Sequence, residues 1–151
     1  MLNLIENGNI FNSKMQTLVN PVNMVGVMGS GLAKSFKDTF HEMFEQYKAA
    51  CKSGRMQEKG MFLWRPDDWN SHWVLCFPTK NHWSEKSHLR LIERGLEIFV
   101  QGYAKTGITS AAFPALGCGL GGLRWKEVGP LMTDQLMDLP IEVEIYLPRE
   151  L

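Results

Sequence analysis

The sequence predicts an α/β fold in three layers, α/β/α, around a central mixed sheet. Three observations predict it. Short runs rich in β-branched and aromatic residues alternate along the chain with longer stretches of helical spacing. Two glycine-rich loops each leave a strand-like run and enter a helix-like one. The length, 151 residues, suits one domain with a real core, and no linker, repeat or low-complexity tract divides it.

The strand candidates, in order, are Leu2–Glu6, Thr17–Val22, Gly60–Trp64, Trp73–Pro78, Ser110–Pro114 and Glu142–Leu147. Each is short and bounded by Gly, Pro, Asn or Asp. Helices are expected between them. Leu32, Phe36, Phe40, Met43 and Tyr47 fall at steps of three or four. So do Leu89, Ile92, Leu96, Phe99 and Tyr103, and again Val128, Met132 and Leu136. Such stripes are core faces of helices. The segment Arg65–Ser71 reads as a turn between two strands.

Composition narrows the function classes. Hydrophobic content of 44% and charged content of 21% belong to a globular protein, not a disordered one. The formal net charge is zero, so any contact with nucleic acid has to be local. No apolar run approaches the ~20 residues of a membrane span, and no membrane partner is expected. The N-terminus lacks a signal-peptide core. Cys51, Cys76 and Cys118 are an odd number without close pairing, which reads as reduced thiols in the cytoplasm.

The glycine loops carry the first chemical signal. They are Gly26-Val27-Met28-Gly29-Ser30-Gly31 and Gly117-Cys118-Gly119-Leu120-Gly121-Gly122. Glycine lets backbone approach a ligand closely, and a helix N-terminus presents free N–H groups to an anion. Two such loops in one small domain suggest a ligand with two phosphates. Neither loop is a standard nucleotide motif. Gly117, Gly119 and Gly122 match a dinucleotide fingerprint with Asp138 downstream, but too little chain follows for a Rossmann fold. Gly31 is followed by Leu32 where a P-loop needs lysine. His41, His72, His82 and His88 show no metal spacing, so no metal and no cofactor is expected. Cys118 reads as a small residue filling a tight turn rather than a nucleophile. Lys80, just past the strand Trp73–Pro78 and beside aromatic residues, stands where open α/β sheets bind ligands.

Four segments together resemble the macrodomain family. They are Leu18-Val19-Asn20-Pro21-Val22-Asn23, Gly26–Ala33, Phe77-Pro78-Thr79-Lys80 and Pro114–Trp125. The resemblance runs in order over essentially the whole chain and is nearest to the DarG-type branch, antitoxins that remove ADP-ribose from DNA bases.

The resemblance implies roles. ADP-ribose is the expected ligand. Asn20 or Asn23 would contact its distal ribose. The front loop (Gly26, Val27, Met28, Gly29, Ser30, Gly31) and the rear loop (Gly117, Cys118, Gly119, Leu120, Gly121, Gly122, Leu123) would wrap the diphosphate and distal ribose. Lys80 would be catalytic, with Thr79 beside it. Asn9, followed by Ile10, stands where macrodomains usually carry an aspartate for the adenine amine, so a weaker, uncharged contact is expected. Gly121 stands where the related terminal ADP-ribose glycohydrolases carry an aspartate, which argues for the DNA-directed branch. Implied partners are ADP-ribosylated single-stranded DNA, with thymine the expected base, and a cognate DNA ADP-ribosyltransferase toxin. A full-length antitoxin of this type would carry a further toxin-binding domain, so residues 1–151 are expected to be a single macrodomain excised from one.

The function expected from the resemblance is DNA ADP-ribosyl glycohydrolase. The alternatives are a non-catalytic ADP-ribose reader, a protein-directed ADP-ribose hydrolase, and a dinucleotide-dependent oxidoreductase. Lys80 could act as an ammonium that protonates the leaving base or as an amine that attacks the sugar carbon. The sequence leaves both open. A basic set at the mouth is expected from Lys80, His82, Lys86, His88 and Arg90.

Overall fold

A computed structural model describes residues 1–149. The chain runs through β1 (Leu2–Ile5), a short 3-10 turn (Ile10–Asn12), β2 (Thr17–Val22), α1 (Gly31–Thr39), α2 (His41–Lys52), α3 (Arg55–Lys59) and β3 (Phe62–Trp64). It continues through β4 (Trp73–Pro78), α4 (Leu89–Thr106), β5 (Ser110–Pro114), α5 (Trp125–Leu136) and β6 (Glu142–Tyr146). The strands form one sheet in the order β1-β6-β5-β2-β4-β3. All pairings are parallel except β3 with β4, which the Arg65–Ser71 turn joins. The sheet is therefore mixed, as expected.

Residue parity along β2 divides the core. Leu18 and Val22 pack with residues of α1, α2 and α3 on one face, including Phe36, Met43, Tyr47 and Met56. Val19 packs with residues of α4 and α5 on the other, including Ile92, Leu96, Val128 and Met132. These are the two outer layers. Each such side chain contributes about 1.5–3 kcal/mol when fully buried. No helix of the described residues is long and apolar enough to cross a membrane.

The stripe from Leu32 to Tyr47 is two helices, not one. Phe40 breaks it with φ −126° and ψ 71°. Its ring packs against Phe36, Phe11 and Trp64 at 6.1, 6.5 and 5.9 Å between centroids. The helical spacing survives the break because both helices bury the same side. The single turn α3 lies between Gly54 and Gly60 and buries only Met56, too little to leave a periodic signal.

The connections create the site. From β2 the chain passes through α1 to α3 and β3 before reaching β4, on one side of β2. From β4 it crosses by α4 to β5, on the other side of β2. The strand order reverses there, so the loops leaving β2 and β5 turn to opposite faces and leave a crevice between them. The pairing widens it. β2 and β5 are in register only at Thr17–Ala111 and Leu18–Ala112, whereas β2 and β4 stay paired through Val22–Pro78.

Candidate active site

A cleft of about 1440 Å³ lies at this crevice, along the carboxyl ends of β2, β4, β5 and β6. It exceeds the roughly 300–1000 Å³ of an ordinary small-molecule pocket. Asn9, Ile10, Asn23, Val27, Gly29, Ser30, Gly31, Thr79, Lys80, Gly117, Cys118, Gly119, Leu120, Gly121 and Leu123 all line it. The two glycine loops and the Thr-Lys segment, far apart in sequence, therefore share one cavity.

Four of the expected ligand residues do not line it. Asn20 has the parity of Leu18 and Val22, so it lies under the α1–α3 layer and is fully buried. Its amide nitrogen meets Met28 Sδ at 3.7 Å, and its Oδ1 has no partner among the described residues. Met28 is 2% exposed and belongs to the same core. Gly26 turns against Lys48 and Cys51 of α2. Gly122 faces the Lys86 stem.

The front loop is organised by Asn23. Its Oδ1 accepts from Val25 N at 3.1 Å and Val27 N at 3.4 Å, and its Nδ2 donates to Val27 O at 2.7 Å. The Tyr47 hydroxyl, wholly buried, lies 2.7 Å from Asn23 O and 2.9 Å from Asn23 Oδ1. Burial pushes the Tyr47 pKa far up, so it remains a neutral donor. The loop delivers the chain to Ser30, the N-cap of α1, which makes no side-chain capping bond. Backbone N–H groups of the first turn are thus free at the cleft wall, an anion site by geometry.

The rear loop is organised by backbone. Cys118 N donates to Ala115 O at 3.1 Å, Gly122 N to Gly119 O at 3.2 Å and Leu123 N to Gly117 O at 2.9 Å. Gly117 has φ +73°, and a Cβ there would meet Leu123, Ile92 and Ser87 at 2.9–3.0 Å. A Cβ on Gly121 would collide with Ser87 Oγ and lie 2.6 Å from Gly117 O. No carboxylate side chain fits at Gly121, which is a physical reason for the departure seen in the sequence. Leu120, 72% exposed, reaches across so that a Cβ on Gly31 would lie 2.9 Å from its Cδ1. The two loops therefore meet over the cleft.

Lys80 is half-buried on the connection between β4 and α4 and has no ion-pair partner among the described residues. That connection is tied to both walls. Met24 N donates to Asn81 O at 3.1 Å, and Ser87 N donates to Gly121 O at 2.9 Å. Glu85 Oε1 accepts from Asn81 N at 2.6 Å and His82 N at 3.0 Å, and lies 3.3 Å from His88 Nε2. Those backbone donors, His82 first, hold its carboxyl below the ordinary range.

Cys118 lines the cleft, but burial, with Glu127 second, pushes its thiol up to about 11. It stays protonated at neutral pH and is a poor nucleophile. Asn9 Oδ1 already accepts from Phe11 N at 3.0 Å, capping the 3-10 turn, so an adenine contact would share that oxygen.

The charge of the wall was not legible in the sequence. Of the expected basic set only Lys80 lines the cleft; His82, Lys86, His88 and Arg90 do not. Arg124, Lys126 and Arg149 join Lys80 there, and no Asp or Glu lines it among the described residues. A neutral chain has placed four cations and no carboxylate around one cavity. Trp83, Trp125 and Tyr146 also line it. The motif Gly122-Leu123-Arg124-Trp125 could have flagged Arg124 and Trp125, whereas nothing local marked Lys126, Tyr146 or Arg149.

The model of the Macro domain family matches residues 19–132. The chain belongs to the macrodomain family. A DNA ADP-ribosyl transferase–DNA ADP-ribosyl glycohydrolase fusion protein of Thermosipho africanus is 44% identical to it, over 99% of this chain and 42% of the relative. The structure of T. africanus DarTG in complex with ADP-ribose matches with a TM-score of 0.90 at 46% identity, covering 99% of this chain and 42% of that one. The macrodomain of Thermus aquaticus DarG matches with a TM-score of 0.89 at 36% identity, covering 98% of this chain and 99% of that one. Within the family, the chain stands with the DarG macrodomains. It spans about two fifths of the length of the curated DNA ADP-ribosyl glycohydrolases it matches.

Proposed function

We propose that this chain is the glycohydrolase part of a DarG-type antitoxin, removing ADP-ribose from modified bases of single-stranded DNA. The observation that carries the reading is Lys80. It is a half-buried side chain with no ion-pair partner among the described residues, on a braced loop, in the same cleft as an uncapped helix start and two glycine loops. The ADP-ribose named in the T. africanus complex supplies the ligand. The glycohydrolase and transferase named in the fusion supply the reaction and the toxin class.

The residues divide the work. The first turn of α1 and the rear-loop backbone hold the diphosphate. Asn23 keeps one amide N–H free for the distal ribose. Cleavage breaks the bond between the anomeric carbon and the base nitrogen, building positive charge on the sugar and negative charge on the base. Lys80 can meet that charge in two ways. As an ammonium it gives a proton to the leaving nitrogen while water supplies hydroxide to the carbon. As an amine it attacks the carbon and displaces the base, which takes up the proton the lysine nitrogen loses; the sugar ring opens to an imine, and water hydrolyses that imine to free ADP-ribose and the amine.

The test is release of free ADP-ribose from an ADP-ribosylated oligonucleotide. Lys80→Ala should lower the rate at least ~100-fold. It should keep the thermal shift with ADP-ribose, about 2.7 kcal/mol at 100 times the dissociation constant. Substantial rescue by Lys80→Arg favours the electrostatic role, because guanidinium is no nucleophile. No release by the native sequence, with binding intact, makes the chain a reader.

A further inference from the structure

Trp83 is exposed where exposure needs a reason. Of the five tryptophans, Trp64 is buried, and Trp73 and Trp125 are partly buried. Trp69, 87% exposed, sits in the β3–β4 turn at the opposite end of β4 from the cleft. Trp83 is 58% exposed and lines the cleft, three residues beyond Lys80.

Its loop is fixed from both sides. Glu85 receives the Asn81 and His82 amides just before it, and His88 N donates to Thr79 O at 2.8 Å just after. His82 Nδ1 lies 2.7 Å from Ser84 Oγ, and the His82 ring packs on the Trp83 indole at 5.1 Å between centroids, tilted by 34°. An indole held this way loses little freedom when something stacks on it. The indole surface that His82 leaves exposed suits a flat aromatic partner, and the cationic wall suits phosphates on either side of that partner. The cleft is also larger than one small ligand needs.

We propose that Trp83 is the stacking platform for an unpaired base of the substrate strand, on the far side of Lys80 from the diphosphate. This rests on the glycohydrolase reading and deepens it. The strand is recognised by a π-face, which every base has, and not by base-edge hydrogen bonds. A base can lie on Trp83 only when it is out of the duplex, so single-stranded or flipped-out bases are the substrates.

The experiment measures binding in a Lys80→Ala background, so it does not depend on turnover. Two ligands are compared by titration: free ADP-ribose and an ADP-ribosylated single-stranded oligonucleotide. Adding Trp83→Ala should weaken the oligonucleotide about 5- to 150-fold, the cost of one lost stack, and leave free ADP-ribose within about 2-fold. Trp83→Phe should recover most of the loss. Unchanged oligonucleotide affinity in Trp83→Ala would overturn the proposal. Equal loss for both ligands would also overturn it, placing Trp83 in the ADP-ribose pocket. Absent release by the native chain alongside a Trp83-dependent oligonucleotide affinity would sink the enzyme reading and leave the platform standing.

Discussion

In the front loop one side chain, Asn23, takes two amides, gives to one carbonyl and meets Tyr47. In the rear loop the backbone bonds to itself, and side chains are excluded at Gly117 and Gly121. Both loops present backbone to the same cleft. One is shaped by a polar group that has to be present, and the other by atoms that have to be absent. The difference predicts opposite mutational behaviour. Deleting atoms should break the front loop, and adding them should break the rear one.

The largest effect should come from Gly121→Ala. The added methyl meets Ser87 Oγ and the Gly117 carbonyl, and backbone does not yield as a flexible side-chain end does. Overpacking of this kind costs about 1–3 kcal/mol, and it displaces the Ser87–Gly121 bond that ties the Lys80 connection to the rear loop. Thermal unfolding and ADP-ribose titration should both show the loss. An unchanged melting temperature would mean the rear loop is softer than its backbone bonds suggest.

Asn23→Ala should cost about 1–2 kcal/mol, because two loop amides and the Tyr47 hydroxyl lose an acceptor while water reaches part of the loop. ADP-ribose affinity should fall with it. Tyr47→Phe, which removes the hydroxyl's two contacts with Asn23 but leaves both loop amides bonded, should fall short of that cost. If Tyr47→Phe proves the more damaging, the buried hydroxyl and not the amide holds the front loop.

Gly119→Glu should have the smallest effect on stability, within about 0.5 kcal/mol. Nothing lies within 4 Å of a Cβ there. Its effect on ADP-ribose should nonetheless be clear, since it puts a carboxylate into a cleft that no Asp or Glu lines among the described residues. Calorimetry separates the two. Full ADP-ribose affinity in this variant would show that the rear loop is only a turn.

Much of this was legible because glycines and strand signals are local. Thr17–Val22, Trp73–Pro78 and Ser110–Pro114 occur as read. Gly60–Trp64 loses its first two residues, and the first and last strands in sequence lose one residue each, where pairing ends. The facing of β2 was not legible. A strand buried on both sides has no polar alternation, so the sequence does not show which face Asn20 takes, whereas Asn23 lies just past the strand's end. The basic set failed for a related reason. Position beside Lys80 in sequence does not fix which way a side chain turns, and His82 turns to Ser84. Arg124 and Lys126 reach the cleft through the turn into α5, which only the folded loop defines.

The sheet edge has one more consequence, for the order of assembly. β1 pairs with no strand but β6, Leu2 lying opposite Val143 and Ile5 opposite Tyr146. The first strand of this domain must therefore wait for its sixth, more than a hundred residues later in the sequence. Closing so long a loop is entropically slow. Gly8 lies against the Tyr146 ring, and both line one end of the cleft. That end cannot exist on a nascent chain until β6 has left the ribosome, so the glycine loops can form before there is a complete pocket for them to serve.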